Sequence, residues 1–332
     1  MLQPLSARPV VIASAADAGY VAPLAVMAES AAIHLRPGRT IELHVIDGGI
    51  PAGDKRELQD LFDGLRLSAH WHRPDRSAFL GVPLWGLVGL SVYDKLHVPD
   101  ALPAEADQVL WLDADTLVLA DLSTLWDRGT GAHAVLAARD PLVPFVSSRF
   151  GVAAYRELGL QRDAPHFNAG VMLIDLQRWR RQRVPARALE YVKRHANAVS
   201  FFDQEGLNAV LADQWGELDP SWNWSPLPPA TSARAPHRAN LPSAVKVVHF
   251  TGNLKPWRYE GRHPCYAVYY EHLDRTAWRG RRPAPRWSAD LVRAYERSGL
   301  RRLLYPAEQL GARVWMSATR RLASPKDVSM TT

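Results

Sequence analysis

The sequence predicts an α/β domain in which helices cover both faces of a central sheet. Short apolar runs rich in β-branched residues alternate with helix-like segments through the first half of the chain, and this alternation is typical of such sheets. The chain has 332 residues, of which 47% are hydrophobic, so it is long enough to bury a large core. No run approaches the ~20 consecutive apolar residues that a membrane-spanning helix requires. We therefore expect a soluble or peripheral α/β protein.

The predicted elements alternate from the start of the chain. Their order is strand 9–15, helix 21–34, strand 40–47, helix 51–63 and strand 65–72. Pro51 supports the second helix, since proline is favoured at the first helical position. Further strands are predicted at 108–114, 133–138, 168–176 and 245–252, with helices at 187–195 and 203–211. The proline-rich segment 221–242 predicts a long loop, and such loops are usually functional or mobile.

The distribution of charge predicts a main domain at residues 1–277 and a basic, helical tail at 278–332. Residues 274–332 contain 12 Arg and one Lys against three Asp and two Glu, which leaves −2 for the rest of a chain whose net charge is +6. Two short basic, aromatic helices are predicted, at 291–304 and 307–322, and they suit an anionic membrane surface. A solvated tail packed on the domain is the alternative. The near-neutral main domain argues against a nucleic-acid partner.

The cysteine content indicates the compartment. Cys265 is the single cysteine, so no intramolecular disulfide can form, and the cysteine pairs of many secreted folds are missing. We therefore expect a cytoplasmic protein, attached to the inner face of the membrane if its tail binds lipid.

Two acidic residues directly follow an apolar run in QVLWLDADTLVLADL, residues 108–122. Open α/β sheets bind ligands at the carboxyl ends of their strands, so Asp113 and Asp115 are expected at a ligand site. Mg²⁺ and Mn²⁺ take carboxylates together with substrate phosphates. An isolated Asp-x-Asp triplet also occurs in exposed turns, but the apolar runs on both sides of this one favour a metal site.

A histidine ends a predicted strand in VKVVHFTGNLKPW, residues 245–257. After His249, Gly252 permits close approach of the backbone to a ligand, and Lys255 can neutralise a phosphate. Imidazole is a good ligand for Mn²⁺ and a poor one for Mg²⁺, so His249 beside two carboxylates would favour manganese, with Mg²⁺ as the alternative. A lone histidine at a strand end is more often structural, but the nearby Gly252 and Lys255 favour a role in ligand binding here.

Two further strings contain polar groups suited to a sugar. HFNAGVMLIDLQRW, at 166–179, has Asn168 at the start of a buried strand, and FFDQEGLNAVL, at 201–211, has Asp203 and Gln204 at the start of a helix. Taken alone, the first segment would be interpreted as the start of a glycine-containing strand and the second as a helix cap.

Taken in the order in which they occur along the chain, the four strings resemble the family 8 glycosyltransferases. This is the retaining group that includes glycogenin and the bacterial lipopolysaccharide galactosyl- and glucosyltransferases. The resemblance covers roughly residues 9–260. It implies the GT-A fold, a Rossmann-like α/β domain with a mixed central sheet. It also implies retaining transfer of galactose or glucose from a UDP-sugar to a glycan or glycolipid acceptor such as lipopolysaccharide core. The basic tail is similar to the membrane-attachment tail of the lipopolysaccharide branch.

The resemblance further implies roles for individual residues. Asp113, Asp115 and His249 match the Mn²⁺ ligands. The implied donor contacts are Asp17 to uracil, Tyr20 stacked on the base, Lys95, Gly252 and Lys255 near the diphosphate, Ala114 between the two metal-binding carboxylates, and Asn168 near the donor sugar. Asp140, Asp203 and Gln204 are assigned to catalysis around that sugar. Gln204 is expected to position groups or stabilise a cation, because an amide is a poor nucleophile.

The sequence departs from the family pattern in two places. Ala18 and Gly19 replace the acidic and Asn residues that often precede the stacking tyrosine, and Glu205 stands where relatives commonly have Asp. The donor class is therefore better defined than the donor sugar.

Two other functions fit part of the pattern. Haloacid dehalogenase-type phosphatases also have Asp-x-Asp at a strand end, but their motif continues as Gly-Thr near the N-terminus, whereas Thr116 follows directly here, a third of the way along the chain. A non-catalytic protein that binds nucleotide sugars at a membrane surface would share the binding motifs. Turnover distinguishes that protein from an enzyme.

Overall fold

A computed structural model of the protein describes residues 8–84, 89–226, 241–252, 255–258 and 264–283. The strands are β1 Val10–Ala16, β2 Ile41–Asp47, β3 Ser68–His72, β4 Gln108–Leu112, β5 Thr116–Val118, β6 Val135–Arg139, β7 Phe167–Asp175, β8 Trp215–Glu217 and β9 Val247–His249. The α-helices are α1 Val21–His34, α2 Ala52–Gly64, α3 Val98–Ala101, α4 Ser123–Trp126, α5 Leu176–Arg181, α6 Val184–Arg194, α7 Phe202–Leu211 and α8 Pro264–Leu273. Arg76–Phe79, Leu90–His97 and Pro220–Asn223 form 3₁₀ helices.

Seven strands form a central sheet in the order β3-β2-β1-β4-β7-β6-β8. Strand β7 runs antiparallel to β4 and β6, whereas the other neighbouring strands are parallel. Strands β5 and β9 form a separate antiparallel pair. The predicted α/β class is confirmed, with a central sheet that is mixed and mostly parallel.

The centre of the sheet is buried on both faces, which explains why β4 reads as a continuous apolar run rather than as an alternating one. Leu110 and Leu112 belong to the core on the side of α1, whereas Val109 and Trp111 belong to the core on the side of α6 and α7. The sheet is thus a rigid platform between two layers of helix.

The short β5/β9 pair joins two segments that are far apart in the chain. In its register Thr116 is opposite His249, and the backbone N–H of Phe250 donates to the carbonyl of Asp115 at 3.0 Å. Because β5 begins directly after the Asp-Ala-Asp triplet, this pairing brings the end of β9 beside the carboxylates.

The structure refines several sequence-based boundaries. Pro51 is the N-cap residue of α2, which begins at Ala52, and the helix predicted at 203–211 begins at Phe202. Strands β5 and β8 and the 3₁₀ helix Leu90–His97 were not predicted, and the start of the predicted loop 221–242 is instead part of the 3₁₀ helix Pro220–Asn223.

Other predictions fall outside the part of the chain that the structure describes. Residues 227–240 of the predicted loop and the two predicted tail helices, 291–304 and 307–322, lie there. Within the described ranges, every helix is too short or too polar to cross a bilayer.

Candidate active site

Asp113, Asp115 and His249 meet at the carboxyl end of β4. The Nε2 atom of His249 lies 3.3 Å from Oδ1 of Asp115 and 3.7 Å from Oδ2 of Asp113. One potential ligand atom from each of the three residues lies within 4.8 Å of the others. The three residues that the sequence proposed as metal ligands are therefore adjacent in space.

A chain of amide groups orients His249. The backbone N–H of Gly170 donates to Oδ1 of Asn168, and Nδ2 of Asn223 donates to that same oxygen at 2.9 Å. Oδ1 of Asn223 is then the atom that lies 2.9 Å from Nδ1 of His249. Because an amide oxygen only accepts, Nδ1 carries a proton and donates it to Asn223, and Nε2 is the nitrogen directed at the two carboxylates.

Gly170 makes room for the imidazole. A methyl group on its Cα would lie 2.1 Å from Cε1 and 2.5 Å from Nδ1 of His249. Gly170 belongs to the central strand β7, and its carbonyl accepts from the backbone N–H of Asp113 at 2.8 Å, so it cannot easily move aside. The ring of His249 can occupy this position because residue 170 has no side chain.

Lys255 forms an ion pair with Asp115 and also donates to the carbonyl of Phe250. Burial by itself would raise the pKa of Asp115, but the neighbouring Lys255 and His249 lower it well below its usual range. Asp115 therefore stays ionised at neutral pH, as a metal ligand must.

A second lysine serves Asp113. Lys95 donates to the carbonyl of Ala169 at 3.1 Å, and its Nζ lies 2.8 Å from Oδ2 of Asp203 and 3.3 Å from Oδ1 of Asp113. Burial alone would lower the pKa of Lys95, but the two carboxylates raise it above its usual value. Asp203 is 3% exposed, so it reaches the site through Lys95 rather than from the surface.

Asp140, Asn168 and Gln204 form the side of the site next to this charged cluster. Oδ2 of Asp140 accepts from Asn168 at 3.1 Å and from Gln204 at 2.8 Å, and its Oδ1 accepts from the backbone N–H groups of Leu142 and Val143. Oε1 of Gln204 accepts from the backbone of β7 at 3.1 Å. These contacts fix the orientation of all three side chains.

Asp17 and Tyr20 lie at the end of β1, on the other side of the carboxylates. Oδ2 of Asp17 accepts from Ser91 at 3.0 Å. The ring of Tyr20 packs edge-on against Trp257, with centroids 5.7 Å apart, and the Arg258 guanidinium lies over its face. Burial, followed by the nearby Asp115 carboxylate, raises the pKa of Tyr20, so its hydroxyl stays neutral.

At the two remaining predicted positions, Gly252 and Ala114, a ligand would contact the backbone rather than a side chain. Gly252 has φ of 77°, a left-handed conformation that favours glycine, and it is exposed. The Ala114 methyl group is buried in the core, so any ligand contact at this position falls to its backbone.

The sequence did not reveal Asn223, Gly170 or Trp111 as site residues. Asn223 orients His249, and the indole N–H of Trp111 donates to Oδ1 of Asp113 at 2.7 Å. Asn223 lay in a segment predicted as loop, and it acquires its position because Trp224 pairs with Val248 next to β9. The glycine in HFNAGV was the one signal available for Gly170.

Glu205, one of the departures from the family pattern, has a structural role. Its carboxylate accepts from the backbone of Ala153 at 2.9 Å and of Ser200 at 2.7 Å, and from the Tyr191 hydroxyl at 3.0 Å. Burial raises its pKa. It ties two loops to α7 and leaves Asp203 and Gln204 to face the site.

The side chains present suit a divalent cation. Two carboxylates and one imidazole offer the oxygen and nitrogen donors that Mn²⁺ accepts, and the imidazole disfavours Mg²⁺. The metal-binding nitrogen of His249, Nε2, is already directed at the carboxylates, because Nδ1 is hydrogen-bonded to Asn223. The group of residues thus fits the ion that the sequence led us to expect.

Comparison with known proteins places this arrangement in context. The profile of the family described as Glycosyl transferase family 8 matches residues 11–261. General stress protein A of Bacillus subtilis is 27% identical over 276 residues, which cover 80% of this chain and 94% of that protein. The lipopolysaccharide 1,2-glucosyltransferase of Escherichia coli is 23% identical over 277 residues, which cover 82% and 80% of the two chains.

A solved structure gives the same picture of the fold. The galactosyltransferase LgtC, in complex with donor and acceptor sugar analogs, matches with a TM-score of 0.69 and 26% identity. The match covers 82% of this chain and all of that one.

Proposed function

The chain belongs to glycosyl transferase family 8, and from that membership we propose that it transfers a hexose, galactose or glucose, from a UDP-sugar to a glycan or glycolipid acceptor with retention of configuration. The names of the relatives support a sugar donor and a sugar acceptor, and the name of the E. coli relative supports lipopolysaccharide as the acceptor class.

The observation that carries the proposal is the meeting of Asp113, Asp115 and His249 around one point. These residues would hold Mn²⁺. When bound, that ion would offset negative charge on the diphosphate leaving group. Phosphoryl oxygens complete the coordination of such ions more readily than protein groups do, which is why three protein ligands suffice.

The two buried lysines would complete the diphosphate site. Lys255 forms an ion pair with Asp115, and Lys95 forms one with Asp113. Their positive charges therefore lie next to the expected position of the leaving group. Fixed positive charge in a buried site stabilises developing negative charge without reorganisation, and this is the main catalytic effect that we propose for them.

The rest of the donor would lie between the two flanking groups of residues. Tyr20 and Asp17 would receive the uracil, and the Asp140, Asn168 and Gln204 group would receive the sugar. Gln204 has its amide oriented by two hydrogen bonds, so we propose that it positions the sugar and stabilises positive charge at the anomeric carbon.

We propose that the basic tail, residues 278–332, attaches the enzyme to an anionic membrane surface. The proposal is supported by its charge, since residues 274–332 have a net charge of +8 whereas the whole chain has +6. A glycolipid acceptor would be presented at such a surface.

A panel of UDP-sugars with Mn²⁺ tests the function. We expect one UDP-hexose to raise the melting temperature more than UDP-sugars of other classes, and to release UDP slowly even without an acceptor. Thermal shift and a coupled UDP assay measure the two effects. Stabilisation by the donor without UDP release, even with glycan acceptors, would favour the non-catalytic sugar-binding alternative. Absence of both responses would contradict the proposal.

Asn223→Ala tests how His249 is held. Loss of the hydrogen bond to Nδ1 frees the imidazole to rotate and change tautomer, so we expect the affinity for Mn²⁺ to fall about 10-fold. Isothermal titration measures this, and Asn223→Asp, which keeps the acceptor oxygen for Nδ1 but loses the amide N–H that donates to Asn168, should restore only part of the affinity. Unchanged Mn²⁺ affinity in the alanine variant would remove Asn223 from the site.

A further inference from the structure

A second group of potential metal ligands lies on β2 and β3, at the edge of the sheet and away from the carboxylates of the active site. The parallel register of the two strands puts His44 opposite His70 and Ile46 opposite His72. Because side chains alternate along a strand, Glu42, His44, His70 and His72 all lie on one face. None of these side chains has a part in the sugar-transfer site described above.

The donor atoms of this group converge on one carboxylate oxygen. Oε1 of Glu42 lies 3.1 Å from Nε2 of His44 and 3.3 Å from Nε2 of His70. The rings of His44 and His70 are stacked with centroids 4.7 Å apart, and their shared proximity to Oε1 of Glu42 puts both Nε2 atoms on the same side. In a tetrahedral zinc site with Zn–N and Zn–O bonds of 2.0–2.2 Å, neighbouring ligand atoms are ~3.3 Å apart. The two observed N–O separations match that value, and one potential ligand atom from each of the three residues lies within 4.8 Å of the others.

His72 supplies the group that orients the buried ligand. Its Nε2 lies 2.9 Å from Nδ1 of His44. If His44 binds a cation through Nε2, its Nδ1 carries the proton and donates it to the lone pair of His72. Metal-bound histidines commonly donate their second N–H to such an acceptor, which fixes the ring and its tautomer.

The three donors differ in exposure in a way that suits a site at the surface. The side chain of His44 is 3% exposed, whereas those of Glu42 and His70 are 30% and 45% exposed. His44 is therefore held by the core, and the other two donors face solvent, from which an ion and a coordinating water can enter. The set of two imidazoles and one carboxylate suits Zn²⁺ and related ions rather than Mg²⁺ or Ca²⁺.

We propose that Glu42, His44 and His70 form a binding site for a divalent transition metal of the Zn²⁺ class, separate from the active site, with His72 as the orienting acceptor. The site joins β2 to the edge strand β3. An ion bound there ties that edge strand to the sheet, and it stabilises the folded chain by an amount that rises with the logarithm of the ratio of its free concentration to its dissociation constant.

Titration with Zn²⁺ alone tests the proposal, and Asp115→Asn provides a background in which metal binding at the active site is weakened by the loss of one carboxylate. In that background we expect one Zn²⁺ to bind per chain, with a rise in melting temperature. Adding His70→Ala or Glu42→Gln should lower the Zn²⁺ affinity about 100-fold and remove most of the thermal shift. His70 is exposed and Gln has the shape of Glu, so both variants should fold.

His133→Ala is the matched control, because it removes an exposed histidine elsewhere, and it should leave Zn²⁺ binding unchanged. In the otherwise wild-type chain, His70→Ala should keep full UDP release, which separates this site from the proposed function. Equal Zn²⁺ affinity with and without both His70→Ala and Glu42→Gln would overturn the proposal. So would an equal loss of affinity in His133→Ala.

Discussion

Asp115→Asn should lower Mn²⁺-dependent UDP release about 1000-fold, which corresponds to about 4 kcal/mol of transition-state stabilisation. The amide is a poor metal ligand and has no charge to balance Lys255, whose ammonium group would remain buried beside it. The substitution therefore weakens the binding of the ion and misplaces the lysine that we assign to the diphosphate. Initial rates of UDP release with saturating donor and a range of Mn²⁺ concentrations measure the effect.

Two comparisons make that experiment specific. Asp60→Asn changes an exposed aspartate on α2 and should retain wild-type rates. Urea unfolding of Asp115→Asn establishes that the variant is folded, since loss of the ion pair with Lys255 also costs stability. A folded Asp115→Asn variant with wild-type turnover would exclude the proposed metal site.

Gly170→Ala should abolish detectable Mn²⁺ binding through His249 and reduce UDP release about 100-fold. The added methyl group would overlap Cε1 of the imidazole, and the pairing of β7 with β4 resists a shift of residue 170. The ring must then rotate away from both carboxylates, and displacement of a catalytic group by about 1 Å can cost that factor in rate. Mn²⁺ titration and UDP release report the two effects.

The matched control for this variant is Gly53→Ala, because a Cβ at position 53 in α2 meets no atom within 4 Å. That substitution should leave activity unchanged and slightly favour the helix. A Gly170→Ala variant with normal Mn²⁺ affinity would mean that His249 does not need its present position to bind the ion.

Local sequence predicted the platform of the site well. The apolar run before Asp113 and the one that ends at His249 each specify a buried strand, and a polar residue at a strand end must then emerge at the edge of the sheet. The positions of these two residues at strand ends follow from the apolar runs alone. Their assignment to one site came from the family resemblance.

Contacts between distant segments could not be predicted in the same way. The pairing of Thr116 with His249 depends on the three-residue strand β5, which is too short to have a recognisable period. Asn223 has no sequence signal, because its role follows from the chain of amides that begins at the backbone of Gly170. The burial of Asp203 against Lys95 likewise follows from packing.

The register of the β5/β9 pair makes the site more sensitive to chain length than to side-chain identity. In strand β9, Val247 and Val248 are fully buried, and exchanges among β-branched apolar residues there would preserve the pairing. Deleting one residue from this strand is a different kind of change, because a shift by one position reverses the direction of every side chain that follows. Phe250 would then take the place of His249 opposite Thr116, so this strand can change in composition without loss of the site but cannot change in length.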